Sequence, residues 1–130
     1  MELKLYNTLS RKKELFKSIE PGKVKIYTCG VTVYDRSHLG HARGAINFDV
    51  MRNIFKALDY EITYVKNYTD IDDKMINRAN ERGISVEQLA DEQIEIHDQD
   101  MASLKINPPD IAPKATEVID EIIKMCETLI

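Results

Sequence analysis

A polar–apolar alternation, Lys23-Val24-Lys25-Ile26-Tyr27-Thr28, runs into Cys29-Gly30 and is followed, from His41 to Leu58, by apolar residues at helical spacing. Alternation with β-branched side chains marks a strand, and a 3.6-residue period marks a helix with one buried stripe. Ala42, Ala45, Ile46, Asp49 and Val50 line one side of that helix, while Phe48, Met51, Phe55 and Leu58 widen the stripe. Ile62-Thr63-Tyr64-Val65 then reads as a second strand, short and apolar enough to be buried. Strand, helix, strand in this order implies a right-handed crossover between parallel strands, hence an α/β fold with flanking helices.

Beyond Thr69 the signals are helical. Asp70 to Asp73 put negative charge where a helix N-terminus favours it, and Gly83 supplies a stop. Ser85-Val86-Glu87-Gln88 is a capping box, opening a helix whose apolar seam includes Val86, Leu89, Ala90, Ile94, His97 and Met101. His97 on that seam reads as a satisfied core histidine. Pro108-Pro109 ends the stretch, and a last helix is expected from Thr116 to about Leu129, with Cys126 in its packing. A parallel sheet covered on both faces usually has several strands, yet only about three candidates are found, counting Leu3 to Tyr6. Residues 1–130 therefore read as one domain that is the first half of a larger α/β domain.

Composition narrows the class. With 43% hydrophobic and 31% charged residues the chain is that of a soluble globular protein, and it contains no run of apolar residues long enough to span a bilayer. The start, Met1 to Tyr6, lacks the apolar core of a signal peptide, so a cytoplasmic protein without membrane contact is expected. Residues 1–25 carry seven Lys and Arg against three Glu, but the net charge of the whole is −4. An acidic total excludes a protein that grips nucleic acid over its entire surface, and Arg11 to Lys13 read as a solvated charge run. Cys29 and Cys126 are too far apart in sequence for a C-x-x-C pair, so any chemistry at Cys29 recruits other ligand types.

The junction after the first strand, Thr28 to Arg43, concentrates reactive residue types. Ligands of open α/β sheets bind beyond the carboxyl ends of strands, and that position here holds Cys29, Gly30, His38, Gly40 and His41. His38 and His41 are three residues apart, which puts them on one face of a helix's first turn, where unpaired N–H groups and the dipole favour an anion. Two imidazole donors there suit the charge that develops on a reacting phosphate, and Gly40 between them lets a flat base or ribose approach the backbone. The bland alternative has Ser37 capping the helix and both histidines as exposed polar residues. Zinc on His38 and His41 alone is disfavoured, because two ligands make a poor site.

Cys29-Gly30-Val31-Thr32-Val33-Tyr34-Asp35, Ser37-His38-Leu39-Gly40-His41-Ala42-Arg43 and Asn67-Tyr68-Thr69-Asp70-Ile71-Asp72-Asp73-Lys74 together resemble the cysteinyl-tRNA synthetases, class I aminoacyl-tRNA synthetases. Separated motifs in the same order extend from Leu5-Tyr6-Asn7-Thr8-Leu9 to Pro109-Asp110-Ile111-Ala112-Pro113. The resemblance implies a Rossmann-like nucleotide-binding half-domain that activates cysteine with ATP and magnesium to cysteinyl adenylate, then transfers it to tRNA(Cys). It implies catalytic and ATP-binding roles for His38 and His41, ATP binding at Gly40, and an amino-acid and adenylate pocket at Gly30, Thr32, Asn67 and Thr69. Without the resemblance, Asn67 and Thr69 read equally well as a turn and helix cap. Cys29 matches the first protein ligand of a zinc ion that binds the substrate thiolate, a soft-ligand preference that separates cysteine from serine. Alone, Cys29 reads as a small buried hydrophobe. Asp70, Asp72 and Asp73 are read as helix-start charges rather than metal ligands.

The resemblance also implies parts not found in residues 1–130: the other zinc ligands, the lysine-rich "KMSKS" loop and the helical domain that reads the anticodon stem. The chain is therefore expected to be an incomplete ligase with negligible aminoacylation by itself, from a complete enzyme that is monomeric. Two alternatives stand beside it: a ligase joining cysteine to an amino sugar in mycothiol synthesis, and a non-catalytic synthetase-like binding module.

Overall fold

The computed structural model describes residues 2–130. Strands β1 (Lys4–Asn7) and β2 (Lys12–Leu15) form an antiparallel hairpin paired from Lys4↔Leu15 to Asn7↔Lys12, with Arg11 left-handed at φ 57° in the turn. The expected strand near Leu3 to Tyr6 thus exists but does not join the parallel sheet, and the basic run Arg11 to Lys13 is exposed and enters a strand. The physical reason is that Lys4-Leu5-Tyr6-Asn7 and Lys12-Lys13-Glu14-Leu15 are too polar for strands covered on both faces. Phe16 tethers the hairpin, its ring edge-on to Phe55 at 4.9 Å and to Tyr60 at 6.0 Å.

Strand β3 (Lys23–Thr28) pairs in parallel with β4 (Glu61–Lys66), in register from Lys23↔Glu61 to Thr28↔Lys66, and helix α1 (Leu39–Ala57) makes the crossover. This is the βαβ unit that the alternation and helical spacing predict. A third position in the sheet is taken by the segment after Pro109. Ile111 bridges Val65 and Lys114 bridges Tyr68, both in parallel, with Lys66 N–H donating to the Ile111 carbonyl at 3.0 Å and Tyr68 N–H to that of Pro113 at 2.9 Å. Pro113 has no N–H to return, which leaves isolated bridges instead of a regular strand.

Between β4 and that segment lie α2 (Asp73–Arg82) and α3 (Val86–Ser103). Asp72 caps α2 by accepting from Lys74 N–H at 2.9 Å, and Gly83 ends it at φ 66°. Ser85 caps α3 by accepting from Gln88 N–H at 3.0 Å. A helix has one capping position, and Asp72 occupies it, so Asp70 is not a helix-start charge. Its buried carboxylate instead accepts from the Thr116 N–H at 3.0 Å and from the Thr116 hydroxyl. It thereby anchors a 3₁₀ turn (Ala115–Val118), which delays helix α4 to Ile119–Leu129.

The core cluster gathers Val33, Tyr68, Met75 and Ala90, backed by Val31, Val86 and Ile94. Each such large apolar side chain contributes about 1.5–3 kcal/mol when withdrawn from water. Helix α4 has no buried residue, and Cys126, expected to pack, is exposed because no other described element covers that helix. Among the described residues no helix is long and apolar enough to cross a membrane.

Candidate functional site

Two loops leave the carboxyl ends of β3 and β4 side by side. Thr32 and Thr69 bridge them in parallel, with Thr69 N–H donating to the Val31 carbonyl at 3.0 Å and Val33 N–H to that of Thr69 at 3.2 Å. Asn67 clamps their base: its Oδ1 accepts from Gly30 N–H at 2.9 Å and from the Tyr27 hydroxyl at 3.0 Å, and its Nδ2 approaches Thr69 Oγ1 at 3.4 Å. Gly30 is required for this approach, because a Cβ there would lie 1.3 Å from the Asn67 carbonyl oxygen. The four residues that the resemblance assigns to the substrate pocket are thus brought together, with Asn67 spending much of its hydrogen-bonding capacity on the scaffold.

The β3 loop ends in a reciprocal cap. His38, extended at φ −119° and ψ 173°, accepts the Gly40 N–H on Nδ1 at 3.0 Å, and its own N–H donates to His41 Nδ1 at 3.2 Å. The two imidazoles stack with centroids 4.0 Å apart and 22° between planes. Gly40 fits here because a Cβ would come within 2.7 Å of His38 Cε1. The cap belongs to His38 and not to Ser37, whose hydroxyl is hydrogen-bonded instead to His97 Nδ1 at 2.6 Å.

These bonds fix the chemistry available. An Nδ1 that accepts a backbone N–H puts the proton of a neutral imidazole on Nε2, so each ring carries an Nε2–H donor at the mouth of α1. Partial burial holds the His41 pKa below its ordinary value, and the neighbouring His38 and Lys66 add to the effect. Neutral donors at a helix N-terminus can hold anionic oxygens without presenting a fixed acid.

His97 is buried, as its place on the α3 seam predicts. Burial lowers its pKa, with Lys66 assisting, and its ring meets that of Tyr68 edge-on at 6.1 Å. The Tyr68 hydroxyl donates to Asp98 at 2.5 Å, and burial followed by this bond raises the phenol pKa. Lys66 was not singled out by the sequence; burial lowers its pKa in turn. The signal for it was the alternation Tyr64, Lys66, Tyr68, which puts a lysine on the covered side of β4.

Cys29 lies next to Gly30 and is exposed, so it is not the small core hydrophobe of the alternative reading. Among the described residues no three His, Cys, Asp or Glu gather to hold a metal ion. Residues 2–130 by themselves therefore do not fit zinc, and Asp70, Asp72 and Asp73, of which only Asp72 caps a helix, form no metal cluster.

Residues 15–130 match the family model for the class I (C) tRNA synthetase catalytic domain. Cysteine–tRNA ligase from Geotalea daltonii is 54% identical over 130 residues, covering 100% of this chain and 26% of that protein. The Geotalea uraniireducens ligase is 53% identical over the same span and share, and that of Magnetococcus marinus is 54% identical over 125 residues, 96% of this chain and 26% of its own length. The chain thus spans about a quarter of the length of the curated relatives it matches. With the paired histidine cap at the head of α1 and the clamped loops beside it, the chain belongs to the class I (C) tRNA synthetase catalytic-domain family.

Proposed function

We propose that this chain contributes the first half of a cysteine–tRNA ligase active site, which activates cysteine with magnesium ATP and charges tRNA(Cys). The observation that carries the reading is the His38–His41 cap, which presents two Nε2–H donors at the N-terminus of α1, where the phosphates of ATP would lie. His38, Gly40 and His41 then bind ATP, with both histidines stabilising the charge that develops as pyrophosphate leaves. Gly30, Thr32, Asn67 and Thr69 form the adjoining wall for the amino acid. Cys29 at that wall is one thiol ligand for zinc, and the others would have to come from outside residues 2–130. That the relatives are cysteine–tRNA ligases favours the tRNA ligase over the amino-sugar ligase.

Cysteine-dependent exchange of pyrophosphate into ATP tests this, measured on the chain alone and after adding the remaining part of a relative, with zinc present. Exchange that appears only in the mixture, and disappears with His41→Ala, is the expected result. Silence in both, with the chain folded, would favour a binding module without turnover.

A further inference from the structure

A partly open cavity of about 350 Å³ lies under α1 and α3, lined by other residues than the crevice between the loops. Its floor is Tyr64, Lys66 and Tyr68, alternate residues of β4 and its extension, which point to one side of the sheet. Ala45 of α1 and Ala102 of α3 border it, short side chains at positions where longer ones would fill it. A cavity of about 150 Å³ accommodates a single benzene ring, so this one has room for a fused bicycle.

Its polar groups are unevenly matched. Arg52 is 4% exposed; one Nη donates to the Asn107 carbonyl at 3.0 Å and the guanidinium lies 4.7 Å from the Tyr64 centroid. Its Nε, also buried, has no hydrogen-bond partner among the described residues. The Arg52 Nη1 lies 3.7 Å from Asp49 Oδ1, whereas Lys66 forms no ion pair among the described residues. The acceptors on the same walls are committed. Asp49 accepts from the Asn107 backbone at 3.3 Å and side chain at 3.1 Å, and Asp98 accepts from Tyr68. An unpaired buried donor is costly, and an aromatic floor with the buried Arg52 Nε and the half-buried, unpaired Lys66 beside it favours a flat ring bearing an acceptor.

We propose that this cavity is a binding site for a small aromatic monocarboxylate, its ring lying over the floor of Tyr64, Lys66 and Tyr68 and its carboxylate taken by the Arg52 Nε–H and the Lys66 ammonium. Asp49 and Asp98 restrict the ligand to a single negative charge. The site is separate from the His38–His41 cap but touches it through His97, which lines the cavity and holds Ser37. Occupancy is independent of the ligase reading, since it needs neither ATP nor the remainder of a synthetase.

The test is a two-dimensional amide NMR titration of the 130-residue chain with indole-3-carboxylate, indole and acetate. Saturable shifts at Ala45, Lys66 and Ala102 are expected with indole-3-carboxylate, at a Kd of about 1 mM or below. Indole and acetate are each expected to bind at least about tenfold more weakly, Lys66→Gln to lower the affinity about tenfold, and Ala45→Leu to abolish it. Equal binding of indole would overturn the proposal by showing a dry apolar cavity without anion recognition. Absence of saturation, or undiminished binding in a folded Ala45→Leu chain, would overturn it as well. If Ala45→Leu does not fold, Lys66→Gln decides, and unchanged affinity there sinks the proposal.

Discussion

His38 and His41 cap each other: the first accepts the Gly40 N–H on Nδ1, and the second accepts the N–H of the first. A side chain usually fills the N-cap to satisfy helix donors, and here the residues that do so are also those proposed to bind ATP. Structural and chemical roles can be separated by substitution. His38→Asn keeps a capping acceptor and is expected to hold stability within about 0.5 kcal/mol, whereas His38→Ala costs about 1 kcal/mol. Both remove the imidazole, so both should lose pyrophosphate exchange in the reconstituted assay. Urea unfolding that ranks Asn no better than Ala would show that the cap does not operate.

Burial and neighbouring cations depress the pKa of both His41 and His97 from 6.5. The unfolded chain then binds more protons than the folded one as pH falls through 6.5, so stability present above that value is lost towards the lower folded pKa values. The urea midpoint should therefore decline between about pH 7 and pH 5. His97→Gln should flatten the decline. A midpoint that holds steady or rises over that interval would contradict the assignment.

Two glycines should respond in opposite directions. Gly30→Ala forces a methyl group onto the Asn67 carbonyl, 1.3 Å away, and is expected to destabilise by about 3 kcal/mol or prevent folding. Gly44, inside α1, meets nothing within 4 Å at that position, and Gly44→Ala should stabilise by about 0.5–1 kcal/mol. Thermal melts of both variants check the pair, and a stabilised Gly30→Ala would invalidate the clamp.

Asp70 joins distant parts of the chain by holding Thr116. Asp70→Ala leaves the Thr116 N–H without its acceptor, at a cost of about 1–3 kcal/mol. Hydrogen exchange should rise first at residues 115–118, ahead of α2. Faster exchange in α2 alone would return Asp70 to a helix-capping role.

The parallel βαβ unit was legible because Lys23–Thr28 and His41–Leu58 have different, strong hydrophobic periods. The histidine pair was legible because three-residue spacing at a helix start places both rings on one turn. What escaped the sequence depends on tertiary partners. Ser37 has the composition of a cap but meets His97, sixty positions away, and Asp70 has the charge of a helix start but meets Thr116. Likewise β2 hides in a charged run, because a two-stranded edge hairpin needs no apolar face of its own.

The segment from Ile111 to Thr116 supports the β4 loop from behind, through Tyr68, Lys66 and Asp70. A chain emerging from the ribosome exposes β3, α1 and β4 well before that support has been made. The helices can form early, but the wall carrying Asn67 and Thr69 cannot be fixed in position until residues 111–116 are available. The order of synthesis therefore puts the histidine cap ahead of the loop wall, and a nascent chain stalled before residue 110 would carry the cap with Asn67 and Thr69 not yet held in place.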